Sequence, residues 1–201
     1  MRIKILLLLV VFIWDVNVSA EEKEMFLNKP KHVIFLIHGI GGDKTHFGYM
    51  SKALSKILNQ KNPSTKYIIR SIEYDTGNNE KTPYDFAKDV DLIIKRTTAS
   101  GKFKKEDKIS LIMHSQGGLI GSIWMFQSLK STPGYSTPDV IDHLDSFITL
   151  GTPFWGAKSA QWGNEVKNLA SQLGVDVSLP YGKRELEQMA FGSDMIFDFR
   201  M

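Results

Sequence analysis

Three short apolar runs in this chain each stop at a glycine-bearing turn. Residues 32–37 (HVIFLI) run into His38-Gly39-Ile40-Gly41-Gly42, residues 109–113 (ISLIM) into His114-Ser115-Gln116-Gly117-Gly118, and residues 146–150 (SFITL) into Gly151-Thr152-Pro153. A continuous apolar run of this length suits a strand buried on both faces. A fourth strand is read at residues 67–74 (YIIRSIEY). Helical patterns separate them. Phe47, Met50, Leu54, Ile57 and Leu58 recur at helical spacing until Asn62-Pro63-Ser64 breaks the pattern. Thr82 reads as an N-cap, with Pro83 at the first helical position and Asp85 three residues after the cap. That helix turns Phe86, Ala87, Val90, Ile93 and Ile94 inward and ends near Ser100-Gly101. A third helix spans about 117–129, and residues 131–138 form a loop. Strands alternating with helices imply an α/β domain with a parallel sheet. Residues 157–201 carry helical stretches and no convincing further strand.

Composition fits one domain: 201 residues, 42% hydrophobic and 23% charged. The net charge of +3 is weak, and Lys102, Lys104 and Lys105 are followed at once by Glu106 and Asp107. That run reads as a solvated loop, and a nucleic-acid role is disfavoured. Residues 1–20 read as a signal peptide. Arg2 and Lys4 form a basic start, 5–14 an apolar stretch too short to span a bilayer, and Val18-Ser19-Ala20 a small-x-small cleavage site. Removing them takes away two positive charges and one negative, leaving +2. Residues 21–31 form a polar lead-in, and residues 32–201 the domain. No cysteine is present, so neither a lipobox anchor nor a disulfide is available. The expectation is export, to a periplasm or outside the cell.

Ligands bind at the carboxyl ends of strands in an open parallel sheet, and all three glycine turns fall at that end. Ser115 there has a physical role. A serine on a sharp strand-to-helix turn lifts its hydroxyl above the sheet, at a helix N-terminus that favours negative charge. Its neighbours must be small because strand and helix pass closely. Gly117 and Gly118 supply clearance, and Gly121 continues the smooth face. A tetrahedral oxyanion needs two donors, each worth about 3 kcal/mol of barrier. The backbone N–H groups of Gln116 and of Ile40 are the candidates.

The set FLIHGIGG, MHSQGG and ITLGTPFWG resembles the lipase and serine-esterase branch of the α/β-hydrolases. It is similar in particular to the lipase-like group containing the glycosylphosphatidylinositol inositol-deacylase relatives. The resemblance covers roughly residues 32–157 and implies a three-layer α/β-hydrolase fold. It also implies hydrolysis of an ester or thioester through an acyl-serine intermediate, with no metal and no organic cofactor. By that resemblance Ser115 is the nucleophile, Gln116 and Ile40 are the oxyanion donors, and His38 and Gly39 shape the oxyanion loop. The segment around Glu187, Met189, Gly192 and Ser193 resembles a helical piece that such lipases carry over the site. The implied partner is a lipid or ester substrate, with peripheral membrane contact as an accompaniment; oligomeric state stays open.

Two positions depart from the pattern. Met113 stands where the family has the first glycine of Gly-x-Ser-x-Gly, so the elbow is expected to form around a crowded position, with some tilt or a wider strand–helix gap. The second departure concerns the base. The family places its histidine after the last strand, but the histidines here are His32, His38, His46, His114 and His143. His143 precedes the last strand and belongs at the opposite sheet edge. His46 is the remaining candidate for a substitute base; His38 is expected to order its loop and His114 to pack or hydrogen-bond behind the elbow. Asp176, Asp194 and Asp198 are candidate acids by position alone. The expectation is therefore a sheet lacking its last strands, and a hydrolase lacking the triad histidine and acid needed for turnover. The alternatives are a non-catalytic module that binds a lipid or partner, and an acyltransferase. Phe154, Trp155, Trp162, Met189, Phe191, Met195, Ile196 and Phe197 read equally as an acyl pocket or lid, as core, or as surface left bare beside an unpaired strand edge.

Overall fold

The computed structural model describes residues 29–98, 103–174 and 181–198. The proposed signal peptide, most of the lead-in, the helix end near Ser100-Gly101, and Asp176 lie outside the described residues, as does the side chain of Phe197. Four parallel strands form the sheet: β1 (Lys31–Ile37), β2 (Lys66–Ile72), β3 (Lys108–His114) and β4 (Leu144–Leu150), in the order β2-β1-β3-β4. The chain steps from β1 to one side and then returns past it to β3. The sheet's switch point therefore lies between β1 and β3, whose carboxyl ends carry HGIGG and HSQGG. Register sets Ile37 level with Ile72 on one side and Met113 on the other.

The two sheet faces are covered unequally. Ile34, Leu36 and Ile112 pack under α1 (Met50–Lys61), against Phe47, Met50, Leu54 and Leu58. Val33, Phe35, Ile37, Ile109, Leu111 and Met113 form the larger core with α2 (Pro83–Thr98) and α3 (Gln116–Leu129). The result is the expected three-layer α/β arrangement. A one-turn helix α4 (Pro138–Ile141) precedes β4. After β4 the described chain is helical: α5 (Lys158–Gln172), α6 (Lys183–Met189) and α7 (Asp194–Asp198). Among the described residues no strand follows β4.

Several expected boundaries shift. The first helix begins at Met50, because residues 44–49 form turns; Phe47 still reaches the core. Ile57 is 48% exposed and so lies off the buried face. The strand at 67–74 ends at Ile72, leaving Tyr74 in the following loop. The N-cap at Thr82 forms as read: Thr82 N and Oγ1 donate to Asp85 Oδ2 at 3.0 and 2.8 Å. Asp91, buried on α2, joins this layer together. Its Oδ1 accepts from Trp124 Nε1 at 2.9 Å and from Ser136 N at 2.8 Å, while Lys95 Nζ sits 2.8 Å from its Oδ2.

Candidate active site

Ser115 sits between β3 and α3 with φ 52° and ψ −124°. Positive φ is rare outside glycine and costs about 1–3 kcal/mol, so the surroundings must hold it. They do so from three sides. Ser115 N donates to Leu150 O of β4 at 2.8 Å. A Cβ at Gly39 would lie 2.8 Å from Ser115 Cβ, and one at Gly117 would strike the carbonyls of Ile37 and His38. A Cβ at Gly118 would strike Thr152 Oγ1 of the Gly151-Thr152-Pro153 turn. The three glycine turns thus meet at one point, as their position at the strand ends implied.

Met113 does not displace this turn. Its side chain is fully buried and its sulfur fills the space that a Cβ at Gly121 would need. The volume expected to crowd the elbow is accommodated one helical turn further along α3.

The loop after β1 is a tight turn closed by Gly42 N donating to Gly39 O at 3.1 Å, with Gly41 at φ 67°. Glycine at that third position is what a type II turn needs. Among the described residues no hydrogen bond reaches the N–H of Ile40, the N–H of Gln116 or the hydroxyl of Ser115.

Tyr74, which sequence reasoning treated only as the end of a strand, joins the loop after β1 to the start of α3. Its ring stacks on His38 at 4.3 Å and 7°. Its hydroxyl lies 2.8 Å from His38 O and 3.0 Å from the side-chain amide of Gln116. A phenol has one proton to give. In the structure Gln116 Oε1 faces the phenol and Gln116 Nε2 has no partner among the described residues; exchanging the two amide atoms would let the NH₂ donate to the phenol oxygen while the phenol proton goes to His38 O. Burial raises the Tyr74 pKa well above its ordinary value, with Glu185 adding to it, so the phenol stays a donor. Nothing in the sequence marks this role, because a tyrosine at a strand end is usually core.

The histidines divide. His38 Nδ1 donates to Gly39 O, within its own loop, at 2.9 Å. Its buried Nε2 carries the lone pair and has no partner among the described residues. Burial is the largest cause holding its pKa low. Among the described residues His46 makes no hydrogen bond to Ser115. Its Nε2 lies 3.0 Å from His114 Nδ1, with the rings stacked at 4.8 Å. His114 is therefore hydrogen-bonded, with His46 as its partner. His143 is at the far edge of the sheet, bonded to Asp107 O, and His32 bonds Ser110 Oγ. Asp198 accepts from Tyr84 at 3.2 Å.

The apolar set near the site separates. Met189, Met195 and Ile196 are core, whereas Trp155, Trp162 and Phe191 are more than half exposed. Phe154 lines a groove of about 760 Å³ along α3, with Tyr84, Ile123, Met125 and Phe126.

Residues 27–176 match the family described as "Putative serine esterase (DUF676)". The chain belongs to this serine esterase family. Members of the wider lipase and esterase group supply its structural likenesses. Phospholipase PlaB from Legionella pneumophila superposes with a TM-score of 0.65 at 21% identity, over 84% of this chain and 34% of that one. Esterase B from Lactobacillus rhamnosis gives 0.50 at 17% identity, over 80% and 52%. These likenesses fix the α/β-hydrolase fold. A curated mimivirus protein, "Putative BTB/POZ domain-containing protein L76" of Acanthamoeba polyphaga mimivirus, is 33% identical over 109 residues, which are 52% of this chain and 20% of that protein. The chain therefore spans about a third of PlaB and a fifth of the mimivirus protein.

Proposed function

We propose that this serine esterase family member performs acyl transfer from a carboxylic ester, of lipid type, to Ser115. The observation that carries the reading is the backbone of Ser115 at φ 52°, held in a three-turn junction beside two N–H groups that have no partner among the described residues. Ser115 Oγ bonds to the ester carbonyl carbon, and the carbonyl π pair moves onto oxygen. The N–H groups of Ile40 and Gln116 receive that charge. Collapse expels the alcohol and leaves an acyl-serine, which water then releases.

The hydroxyl proton needs a base. Among the described residues no histidine is hydrogen-bonded to Ser115, so we place this chain, by itself, among slow or non-turning hydrolases. Export through residues 1–20 and contact with a membrane surface belong to the same proposal.

The test is labelling of residues 21–201 by a fluorophosphonate, followed by intact mass, with and without imidazole as an added base. Slow stoichiometric labelling that imidazole accelerates, and that Ser115→Ala abolishes, is expected. Fast labelling without imidazole means that a base is present, with His46→Gln the next variant. A folded chain that stays unlabelled even with imidazole overturns the reading in favour of a non-catalytic binding module.

A further inference from the structure

Glu185 lies on α6, more than a hundred residues from the oxyanion loop, and is fully buried. Its carboxylate takes three hydrogen bonds. Thr76 Oγ1 donates to Oε1 at 2.6 Å, while Gly77 N and Gly182 N reach Oε2 at 2.9 and 3.0 Å. The backbone packs just as closely, since a Cβ at Gly182 would strike Asn78 O. Lys183 N also donates to Asn79 Oδ1 at 3.0 Å. The start of α6 is clasped to the loop after β2.

The Thr76 hydroxyl has one proton, and Glu185 takes it. Its oxygen is thereby left to accept, and Gly41 N donates to it at 3.1 Å. Gly41 follows Ile40 in the tight turn, so anchoring its N–H fixes the peptide plane next to the one that carries the Ile40 N–H. We infer that Thr76 and Glu185 are positioning residues that aim the oxyanion loop at Ser115. This inference rests on the acyl-transfer reading above.

The chemistry makes a sharp demand on residue 185. Glutamine has the same shape but brings an NH₂. Directed at Gly77 and Gly182 it would face two N–H groups, so it turns to Thr76 instead. The Thr76 hydroxyl then accepts from the amide instead of donating to a carboxylate, and its second lone pair is left for the Gly41 N–H. Without the charged acceptor that polarises the hydroxyl, the anchor weakens with no change in volume.

The experiment is phosphonylation of Ser115 at fixed imidazole, with the limiting rate separated from probe affinity. It compares the wild type with Thr76→Val, Thr76→Ser and Glu185→Gln, and thermal unfolding reports folding. We expect Thr76→Val to lower the limiting rate about tenfold, below the loss of a whole oxyanion donor, and Glu185→Gln to lower it by a smaller factor, with affinity within about twofold of wild type in both. Thr76→Ser keeps the hydroxyl and should restore the rate. Faster amide exchange at Gly41 should accompany the slow variants. A labelled wild type whose Thr76→Val variant reacts equally fast overturns this inference alone. So does a Thr76→Ser variant as slow as Thr76→Val. A wild type that is not labelled overturns the acyl-transfer reading, and this inference falls with it.

Discussion

At Met113 and Gly121 a single sulfur decides how closely β3 and α3 approach. Gly121→Ala should cost about 1–3 kcal/mol by overpacking, and Met113→Ala about 2–5 kcal/mol by cavity formation. Because the new methyl enters the vacated space, the double variant should be less destabilised than the two losses added, by more than about 1 kcal/mol in denaturant unfolding. Strict additivity would mean that the two side chains do not share that volume. The histidines set a second expectation. Burial is the largest cause lowering the pKa of His32, His38 and His114, with His46 adding to the effect on His114. A histidine with a depressed folded pKa binds its proton more readily when unfolded. The stability it confers is fully present above the ordinary 6.5 and is lost as pH falls toward the folded value. The denaturant midpoint should therefore drop between pH 7 and pH 5, and His114→Gln should flatten that drop. An unchanged slope would remove His114 from the account.

At the scale of elements, α2 begins at a capping box and α5 presents apolar residues to solvent. Thr82→Ala removes both the hydroxyl bond to Asp85 and the cap, and should cost about 1 kcal/mol. On α5 and at its C-cap, Trp162, Val166, Leu169 and Leu173 are each more than half exposed at helical spacing. Trp162→Glu and Leu169→Glu should change stability by less than about 0.5 kcal/mol while reducing self-association in sedimentation at high concentration. A loss of several kcal/mol would show that this face is packed. The elements themselves were legible because fully buried strands leave continuous apolar runs and Thr82-Pro83-Tyr84-Asp85 is a local signal. The outward face of α5 was not, since periodicity reports that a helix has an apolar side and not what that side meets. Within the site, Ser115, Gly39 and Gly117 were legible as a turn. Tyr74, Thr76 and Glu185 were not, because their partners are brought near only by the finished fold. His46 was placed at the correct edge but bonds His114, a choice between two neighbours that spacing cannot make.

Across the whole molecule, Asp91 links α2, α3 and the loop before α4 through Trp124, Ser136 and Lys95. Asp91→Ala would leave three buried donors, Trp124 Nε1, Ser136 N and Ser136 Oγ, without their acceptor, at about 1–3 kcal/mol each. A loss of that order in urea unfolding, with Trp124 fluorescence shifted, is the expected result; a loss under 1 kcal/mol would mean that the network rearranges around the missing carboxylate. The exchange between Met113 and Gly121 also bears on how such chains are found. What the junction demands is a fixed amount of room between strand and helix, and either partner can yield it. A search that insists on one letter before the serine passes over every chain that has moved the vacancy to the opposite wall, whereas one that scores both walls together retains them.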